Sequence, residues 1–253
     1  MKKELGIQIY SVRDRMTTRE DAQYTLKKLR EYGYTQVQLA GCPSWGWDEF
    51  AKDLKEADLT VIGTHVGMDL LENTEEAVRV HQLLGTTNAG IGGAPLNARS
   101  TVEGLMKFID QANKAAEELA KYGMKFTYHN HHFEFNKFGN ETMMDILVRE
   151  LDPKNCSFVL DTYWLQHAGA FVNDWIEKLA GRVDILHLKD KRVKDRDTFM
   201  AELGHGNMNF KSIMETAEKA GVKYYCYEQD TDHSINPLES AKVSAKYFFE
   251  ELA

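Results

Sequence analysis

The chain has 253 residues, a formal net charge of -8 at pH 7 and 43% apolar side chains. Phosphate backbones are bound mainly by Lys and Arg, so this acidic balance argues against a nucleic acid partner. No stretch reaches the ~20 apolar residues of a membrane span, and the start, Met1-Lys2-Lys3-Glu4, leads into no signal-peptide core. Cys42, Cys156 and Cys226 form no CxxC pair, so we expect neither disulfides nor a thiolate zinc site, but a cytoplasmic protein.

An apolar strand, a polar connection and an amphipathic helix alternate along the whole chain. The pattern predicts eight strands, at 5–9, 36–40, 60–65, 89–92, 125–131, 157–162, 184–189 and 224–228. Strict alternation implies a parallel sheet, because each parallel connection needs a crossover helix. Eight units in a chain of this length favour one (β/α)₈ TIM barrel over residues 1–253. No GxGxxG follows the first strand, which weakens a dinucleotide-binding alternative.

Capping and glycine signals support the predicted helices. Ser100 with Glu103 matches a capping box and predicts the start of a helix. Gly85 and Gly123 follow helical patterns, where a helix end often needs a positive φ. The glycine-rich segment 89–93 lies in the fourth unit and opens no convincing phosphate loop, so we interpret it as close backbone packing.

Histidines and a carboxylate gather near the end of the fifth strand. His129 and His131 share one face and Tyr128 lies on the other, because side chains alternate along a strand. Glu134 follows where the chain leaves the strand. A single histidine is often a satisfied core residue, but two on one face beside a carboxylate predict a metal or catalytic site at the mouth of the barrel.

The next three strands also end in polar or charged side chains. Asp161 closes an apolar run, where a carboxylate is costly unless it is paired, caps a helix or binds a cation. His187 and Lys189 share a face of the seventh strand, and Glu228 ends the eighth, with a salt bridge to Lys189 or Arg192 as its structural alternative. Together with Glu134, the residues Asp161, His187 and Glu228 predict a site for Mn²⁺, Mg²⁺ or Co²⁺, with Zn²⁺ also possible.

These segments resemble the sugar phosphate isomerase/epimerase superfamily, the xylose isomerase-like TIM barrels. The resemblance spans the whole chain, and its most specific piece is an HNHxxEF signature. The matching segments are GIQIYSVR at 6–13, GTHV at 63–66, HNHHFEF at 129–135, DTYW at 161–164, HLKD at 187–190 and LGHGN at 203–207.

The resemblance implies a metal bound by Glu134, Asp161, His187 and Glu228. In the ketose epimerases of the superfamily the fifth-strand Glu lies within the strand, near the position of His129. Therefore His129, or His131 two residues on, is an alternative or assisting ligand. The endonuclease IV branch needs three metals and a further His after the sixth strand. Here Trp164 takes that position, which argues against DNA repair.

The implied chemistry is abstraction of a proton beside a carbonyl, with the enediolate stabilised by the metal. An epimerase or isomerase is the first hypothesis, with Glu228 as base and Glu134 or His131 opposite it. A dehydratase of the inosose type, in which His131 or His65 donates a proton to the leaving group, is the alternative. A sugar-binding barrel without catalysis is the third.

Further side chains are candidates for contact with a small carbohydrate substrate. They are His65, Lys189, Trp164, Tyr10 and His129, with Trp45 and Trp47 as further aromatic walls. The basic run 189–194 is either a solvated loop or an anion-binding loop beside the site. A homodimer is expected from the architecture, which commonly pairs.

Overall fold

The structure, a computed structural model, describes residues 3–253. Eight parallel strands close into a barrel in which each pairs with the next in the chain and the first pairs with the last. They are β1 (Gly6–Gln8), β2 (Gln36–Ala40), β3 (Thr60–His65), β4 (Asn88–Ile91), β5 (Lys125–His129), β6 (Cys156–Asp161), β7 (Val183–Leu188) and β8 (Tyr224–Tyr227). The predicted (β/α)₈ TIM barrel is confirmed.

Helices surround the barrel. They are α1 (Arg19–Glu31), α2 (Trp47–Glu56), α3 (Met68–Glu72), α4 (Thr74–Leu84), α5 (Val102–Ala120), α6 (Met143–Glu150), α7 (Thr162–His167), α8 (Val172–Lys178), α9 (Phe210–Lys219) and α10 (Pro237–Tyr247). Short 3₁₀ segments follow β1, β4 and β5 at Ile9–Arg15, Leu96–Arg99 and Phe133–Phe135. Two antiparallel hairpins lie on connections, one pairing Lys137–Phe138 with Glu141–Thr142 and one pairing Asp190–Lys194 with Asp197–Ala201.

The cap of α5 corrects one prediction. Thr101 rather than Ser100 is the N-cap, because its hydroxyl accepts from the N–H of Gly104 at 3.0 Å. The Ser100 hydroxyl instead donates to the carbonyl of Leu96 in the preceding 3₁₀ turn, at 2.9 Å. The capping box was therefore assigned one residue too early. The C-terminal signal was right at Gly85, which ends α4 with φ of 71°.

Two layers fill the barrel interior, one above the other. The lower layer is an apolar floor made by Ile62, Val159, Ile185 and Cys226. Residues two apart on a strand share a face, so Asp161, His187 and Glu228 lie on the same side as this floor and one step nearer the C-terminal ends. The alternation of apolar and polar residues on these strands therefore places the polar side chains directly above the apolar floor, toward the C-terminal ends of the strands.

Close packing beside β4 confirms the interpretation of the glycine-rich segment. A Cβ on Gly90 would lie 2.1 Å from the Thr127 hydroxyl and 2.7 Å from the Thr64 carbonyl oxygen. The outward faces of the strands pack on helices, as Tyr128 does against Phe108 of α5 with ring centroids 6.1 Å apart. Among the described residues, no helix has the length and apolarity needed to cross a bilayer.

Candidate metal centre

Four buried side chains from consecutive strands meet at the C-terminal end of the barrel. They are His129, Asp161, His187 and Glu228, which we call the four-residue cluster. Each offers one ligand atom, and these atoms all lie within 4.8 Å of one another. His129 ends β5, Asp161 ends β6, and Asp161 is in register with His187 on β7. The position agrees with the rule that barrel active sites form at this end.

The distances fit ligands around a common cation. His129 Nε2 lies 3.7 Å from Asp161 Oδ2 and 3.9 Å from Glu228 Oε2. His187 Nδ1 lies 3.8 Å from Asp161 Oδ2 and 2.8 Å from Glu228 Oε2. Two imidazole nitrogens and two carboxylate oxygens form a donor set that suits Mn²⁺, Co²⁺ or Zn²⁺, with Mg²⁺ less favoured by the nitrogens.

Unused atoms in the cluster are the structural evidence that the residues fit a metal. His129 Nε2 and Asp161 Oδ2 are buried without a hydrogen-bond partner among residues 3–253. Asp161 Oδ1 is occupied, since it accepts from the N–H of Trp164 at 2.8 Å and caps α7. Buried polar atoms are rarely left unsatisfied, and a bound ion is one explanation when they are. Helix capping therefore uses Oδ1 of Asp161 and leaves Oδ2 as the oxygen that could bind a metal.

Lys189 partly balances the charge of the site. Its Nζ lies 2.6 Å from Asp230 Oδ2, 3.1 Å from Glu228 Oε2 and 3.5 Å from Asp161 Oδ2. Burial acts to lower the pKa of Lys189, but the three carboxylates outweigh burial and raise the pKa, which keeps the ammonium charged. Three carboxylates outnumber the one ammonium, so the site has an excess of negative charge that a divalent ion would reduce.

The carboxylate of Asp161 stays ionised in this environment. Burial acts to raise the pKa of Asp161, but the ammonium of Lys189 and the neighbouring rings of His129 and His187 outweigh burial and lower the pKa to about 2. An ionised carboxylate is the form that binds a metal. The salt bridge predicted between Lys189 and Glu228 is present, and it coexists with the cluster.

Glu134, a predicted ligand and acid–base group, does not join the cluster. Its Oε1 accepts from the Tyr128 hydroxyl and its Oε2 from the N–H of His131, both at 2.7 Å. The reason is that β5 ends at His129, after which the chain turns and carries Glu134 into the 3₁₀ segment. Burial raises the pKa of Glu134 to about 7 despite these two donors. His129, the alternative, has the cluster position instead.

A cavity of about 350 Å³ opens over the cluster. Its lining includes Tyr10, His65, His129, His131 and Glu228, which were all predicted for the site, and also Arg13 and Asp230. Another cavity of about 390 Å³ lies beside the 190–201 hairpin, but none of its titratable side chains is buried. The first cavity is therefore the candidate substrate site, and its volume suits a small ligand.

The predicted aromatic residues divide between site and core. Trp164 stands beside the site, with Lys189 Nζ 5.0 Å from its ring centroid and the His131 ring 5.4 Å away. Trp45 packs edge-on against Phe50, and Trp47 begins α2 in the core. None of the three tryptophans lines the cavity itself, but Trp164 contacts the cavity residue His131, whereas Trp45 and Trp47 pack with core residues.

Four residues near the cluster were missed in the sequence. Arg13 and Asp230 line the cavity, while Gln8 and Gln38 are fully buried beside it. A polar amide inside an apolar strand, as in GIQIY and QVQLA, was the available signal for Gln8 and Gln38. Asp230 follows Glu228 by two residues, so the alternation rule would have found it.

Comparisons with known proteins agree with this fold. A family described as "Xylose isomerase-like TIM barrel" matches residues 18–251. An inosose dehydratase of Geobacillus thermodenitrificans is 30% identical over 159 residues, which are 56% of this chain and 53% of that protein, so the match spans about half its length. The inosose dehydratase of Lactiplantibacillus plantarum is 26% identical over 248 residues, covering 82% of this chain and 81% of that one.

Solved structures share the fold. A sugar phosphate isomerase/epimerase from Parabacteroides distasonis superposes with a TM-score of 0.83 at 22% identity, covering 100% of this chain and 95% of that one. An L-ribulose 3-epimerase superposes with a TM-score of 0.73 at 15% identity, covering 98% and 95%. At these identities the similarity concerns the fold alone.

Proposed function

This chain belongs to the xylose isomerase-like TIM barrel family, and on that basis we propose that it is a divalent-metal-dependent enzyme acting on a small carbohydrate or polyol. The observation that carries the proposal is the four-residue cluster, in which His129 Nε2 and Asp161 Oδ2 are buried beneath a cavity without a hydrogen-bond partner in residues 3–253. A divalent ion held by His129, Asp161, His187 and Glu228 would supply a Lewis acid that makes a C–H beside a carbonyl acidic.

The protein side chains have distinct proposed roles around the reacting carbons. Glu228 lines the cavity and is the proposed base that accepts the proton beside the carbonyl. Lys189, buried and cationic, would stabilise negative charge that develops on a substrate oxygen. Burial lowers the pKa of His131 to about 2, so this ring is neutral and would contribute a hydrogen bond rather than a charge. Trp164 forms a wall beside Lys189.

Dehydration is the outcome that we favour. After the proton moves to the base, the electron pair left on carbon forms a C=C bond, the β C–O bond breaks, and the leaving oxygen takes up a proton as water. No oxidant or further cofactor is required. The observation that favours this outcome is that the relatives described above are named inosose dehydratases.

Epimerisation or isomerisation is the second candidate. It needs a group that returns the proton, to the opposite face or to the neighbouring carbon. The fifth-strand position of the cluster is occupied by His129 and not by a glutamate. The group that returns the proton would therefore come from outside the four-residue cluster. Asp230 is the carboxylate that the cavity offers, since it lines the cavity and its Oδ1 is buried without a partner among the described residues.

One assay separates these outcomes. Purified protein loaded with Mn²⁺ is incubated in D₂O with a panel of keto-inositols, ketoses and 3-keto sugars, and both ultraviolet absorbance and proton NMR are recorded. Dehydration produces an absorbing α,β-unsaturated ketone, whereas epimerisation exchanges one C–H for deuterium without new absorbance. Glu228→Gln should abolish either signal. Binding of a panel member with neither exchange nor absorbance would favour a non-catalytic sugar-binding protein and contradict the proposal.

A further inference from the structure

Two buried glutamine side chains connect the metal cluster to the wall of the cavity. Gln8 ends β1 and Gln38 lies in β2, and both are 0% exposed. Gln38 contacts the cluster residue His187, and Gln8 contacts the cavity residue His65. A chain of side-chain contacts therefore runs from His187 through Gln38 and Gln8 to His65.

The backbone fixes the direction of this chain. The N–H of Tyr10 donates to Gln8 Oε1 at 3.2 Å. If the Gln8 amide were turned over, its NH₂ group would face this N–H, donor against donor, so the oxygen must lie here. Gln8 Nε2 is then the atom that faces both Gln38 Oε1, at 2.8 Å, and His65 Nδ1, at 3.3 Å. Gln8 is thus a donor to both neighbours.

The orientation of Gln38 follows and determines the tautomer of His187. Gln38 must present its oxygen to Gln8 Nε2, and the same oxygen lies 2.5 Å from His187 Nε2. An oxygen acceptor at this position requires a proton on His187 Nε2. Nδ1 is then the atom left for a cation, which would replace the proton that Nδ1 shares with Glu228 Oε2 at 2.8 Å, and Nδ1 also faces Asp161.

The tautomer of His65 follows from the other contact of Gln8. His65 Nδ1 accepts from Gln8 Nε2, so a neutral His65 carries its proton on Nε2. His65 lines the cavity over the cluster, and its Nε2 is buried without a partner among residues 3–253. Its ring is stacked on that of His129, with centroids 4.9 Å apart, which holds its orientation.

We propose that Gln8 and Gln38 are positioning residues that set both tautomers, so that His187 offers Nδ1 to the metal while His65 donates its Nε2–H to a carbonyl or hydroxyl oxygen of the substrate. His65 is then a neutral hydrogen-bond donor and not a base. In the dehydration, the same N–H is oriented to assist the departing hydroxyl. The role of His65 toward substrate rests on the proposed function, whereas the two tautomers do not.

The relay is tested by making one isosteric change at each glutamine. Gln8→Glu replaces the shared donor with an acceptor, so His65 must move its proton to Nδ1 and Gln38 must turn its NH₂ toward residue 8 and His187. Gln38→Glu keeps an oxygen at the position that accepts from Gln8 and His187, and the Gln38 Nε2 that it replaces has no partner among the described residues. Both variants replace a glutamine with a glutamate, but only Gln8→Glu should disturb the two tautomers.

Three readouts follow the two variants. Nitrogen-15 NMR of metal-free protein, with His65 assigned by loss of its signals in His65→Gln, should find the proton on Nε2 in the wild type and in Gln38→Glu but on Nδ1 in Gln8→Glu. Mn²⁺ affinity should fall about 10–100-fold in Gln8→Glu, as expected for a residue that supports a ligand, and stay within a few-fold in Gln38→Glu. The kcat should fall about 10²–10³-fold in Gln8→Glu, the usual effect of removing one preorganised donor.

Gln111→Glu on the exposed face of α5 is the matched control, since its Nε2 bonds Glu72 far from the relay. It should change none of the three readouts. If Gln8→Glu does not fold, Gln8→Met removes the donor without adding a charge, and it should also weaken Mn²⁺ binding. Retention of the Nε2 proton on His65 in Gln8→Glu, or equal loss of Mn²⁺ affinity in both Glu variants, would overturn the relay. Absence of turnover on every substrate would refute the proposed function instead.

Discussion

His129 Nε2 and Asp161 Oδ2 lie 3.7 Å apart, and neither atom has a hydrogen-bond partner in the described chain. Each atom could donate an electron pair to the same cation, and each is buried in the protein interior. Leaving two polar atoms unsatisfied in a barrel interior costs free energy, about 1–3 kcal/mol for each group. A divalent ion between them would recover this cost, which makes the pair the sharpest evidence for a metal centre.

The two candidates from the fifth strand are separated by mutation. His129→Ala removes one of the proposed ligand atoms. Loss of a residue that only supports a ligand lowers metal affinity about 10–100-fold, so His129→Ala should lower Mn²⁺ affinity by more than this. Glu134→Gln should leave the affinity within a few-fold of the wild type, because both Glu134 oxygens are engaged by Tyr128 and His131. Isothermal titration with Mn²⁺ measures both. Strong loss in Glu134→Gln with retention in His129→Ala would reverse the assignment.

Glu134 should make the stability of the protein depend on pH. Burial raises its pKa from 4.5 to about 7, so the folded chain keeps a proton that the unfolded chain releases. The free energy of unfolding therefore falls as pH rises from about 4.5 to about 7, by up to about 3 kcal/mol from this group. Urea unfolding of wild type and Glu134→Gln across this range isolates the effect.

Glu134→Gln imitates the protonated carboxyl, because its oxygen can accept from the His131 N–H and its NH₂ can donate to the Tyr128 hydroxyl oxygen. The difference in stability between the two proteins should be small near pH 4.5 and should favour the variant above pH 7. A difference that does not change with pH would show that the Glu134 carboxyl titrates normally.

Lys189 should matter most when no metal is bound. Lys189→Met leaves the carboxylates of Asp161, Glu228 and Asp230 without their ammonium, and breaking a buried ion pair typically costs about 3–5 kcal/mol. The midpoint temperature of thermal unfolding should therefore fall strongly in EDTA, and saturating Mn²⁺ should largely restore it. An equal loss of stability with and without Mn²⁺ would mean that the ion does not share these carboxylates.

Gly90→Ala should destabilise the barrel itself. The added Cβ would meet the Thr127 hydroxyl at 2.1 Å and two backbone oxygens at 2.7 Å and 2.9 Å, and backbone in a closed sheet cannot move away easily. We expect a loss near the upper end of overpacking costs, about 3 kcal/mol, in urea unfolding. Gly92→Ala is the control, because its Cβ would make an ordinary 3.5 Å contact with His65. Equal effects of the two substitutions would contradict this packing.

The sequence predicts the barrel and most of the centre because both depend on regular alternation. Asp161, His187 and Glu228 lie within or directly after predicted strands, where the period of two fixes the face of each side chain. Glu134 was misjudged because its position depends on where β5 ends, and a turn after His129 is a tertiary feature that the pattern HNHHFEF does not encode.

The glutamine relay could not be predicted for a different reason. Gln8 and Gln38 come from strands that are adjacent in the barrel, but their partners His65 and His187 lie on β3 and β7. Which amide atom faces which ring depends on the backbone N–H of Tyr10, and this is visible only once the chain is folded. A glutamine inside an apolar strand indicates a buried hydrogen-bond network, but the sequence does not show which residues take part in it.

An anomalous difference map from crystals grown with Mn²⁺ is the most direct measurement. It should contain one strong peak at the C-terminal end of the barrel, bonded to His129 Nε2, Asp161 Oδ2, His187 Nδ1 and Glu228 Oε2, with Glu134 still bound to Tyr128. No peak at saturating Mn²⁺, or a peak bound by Glu134 instead of His129, would contradict the account.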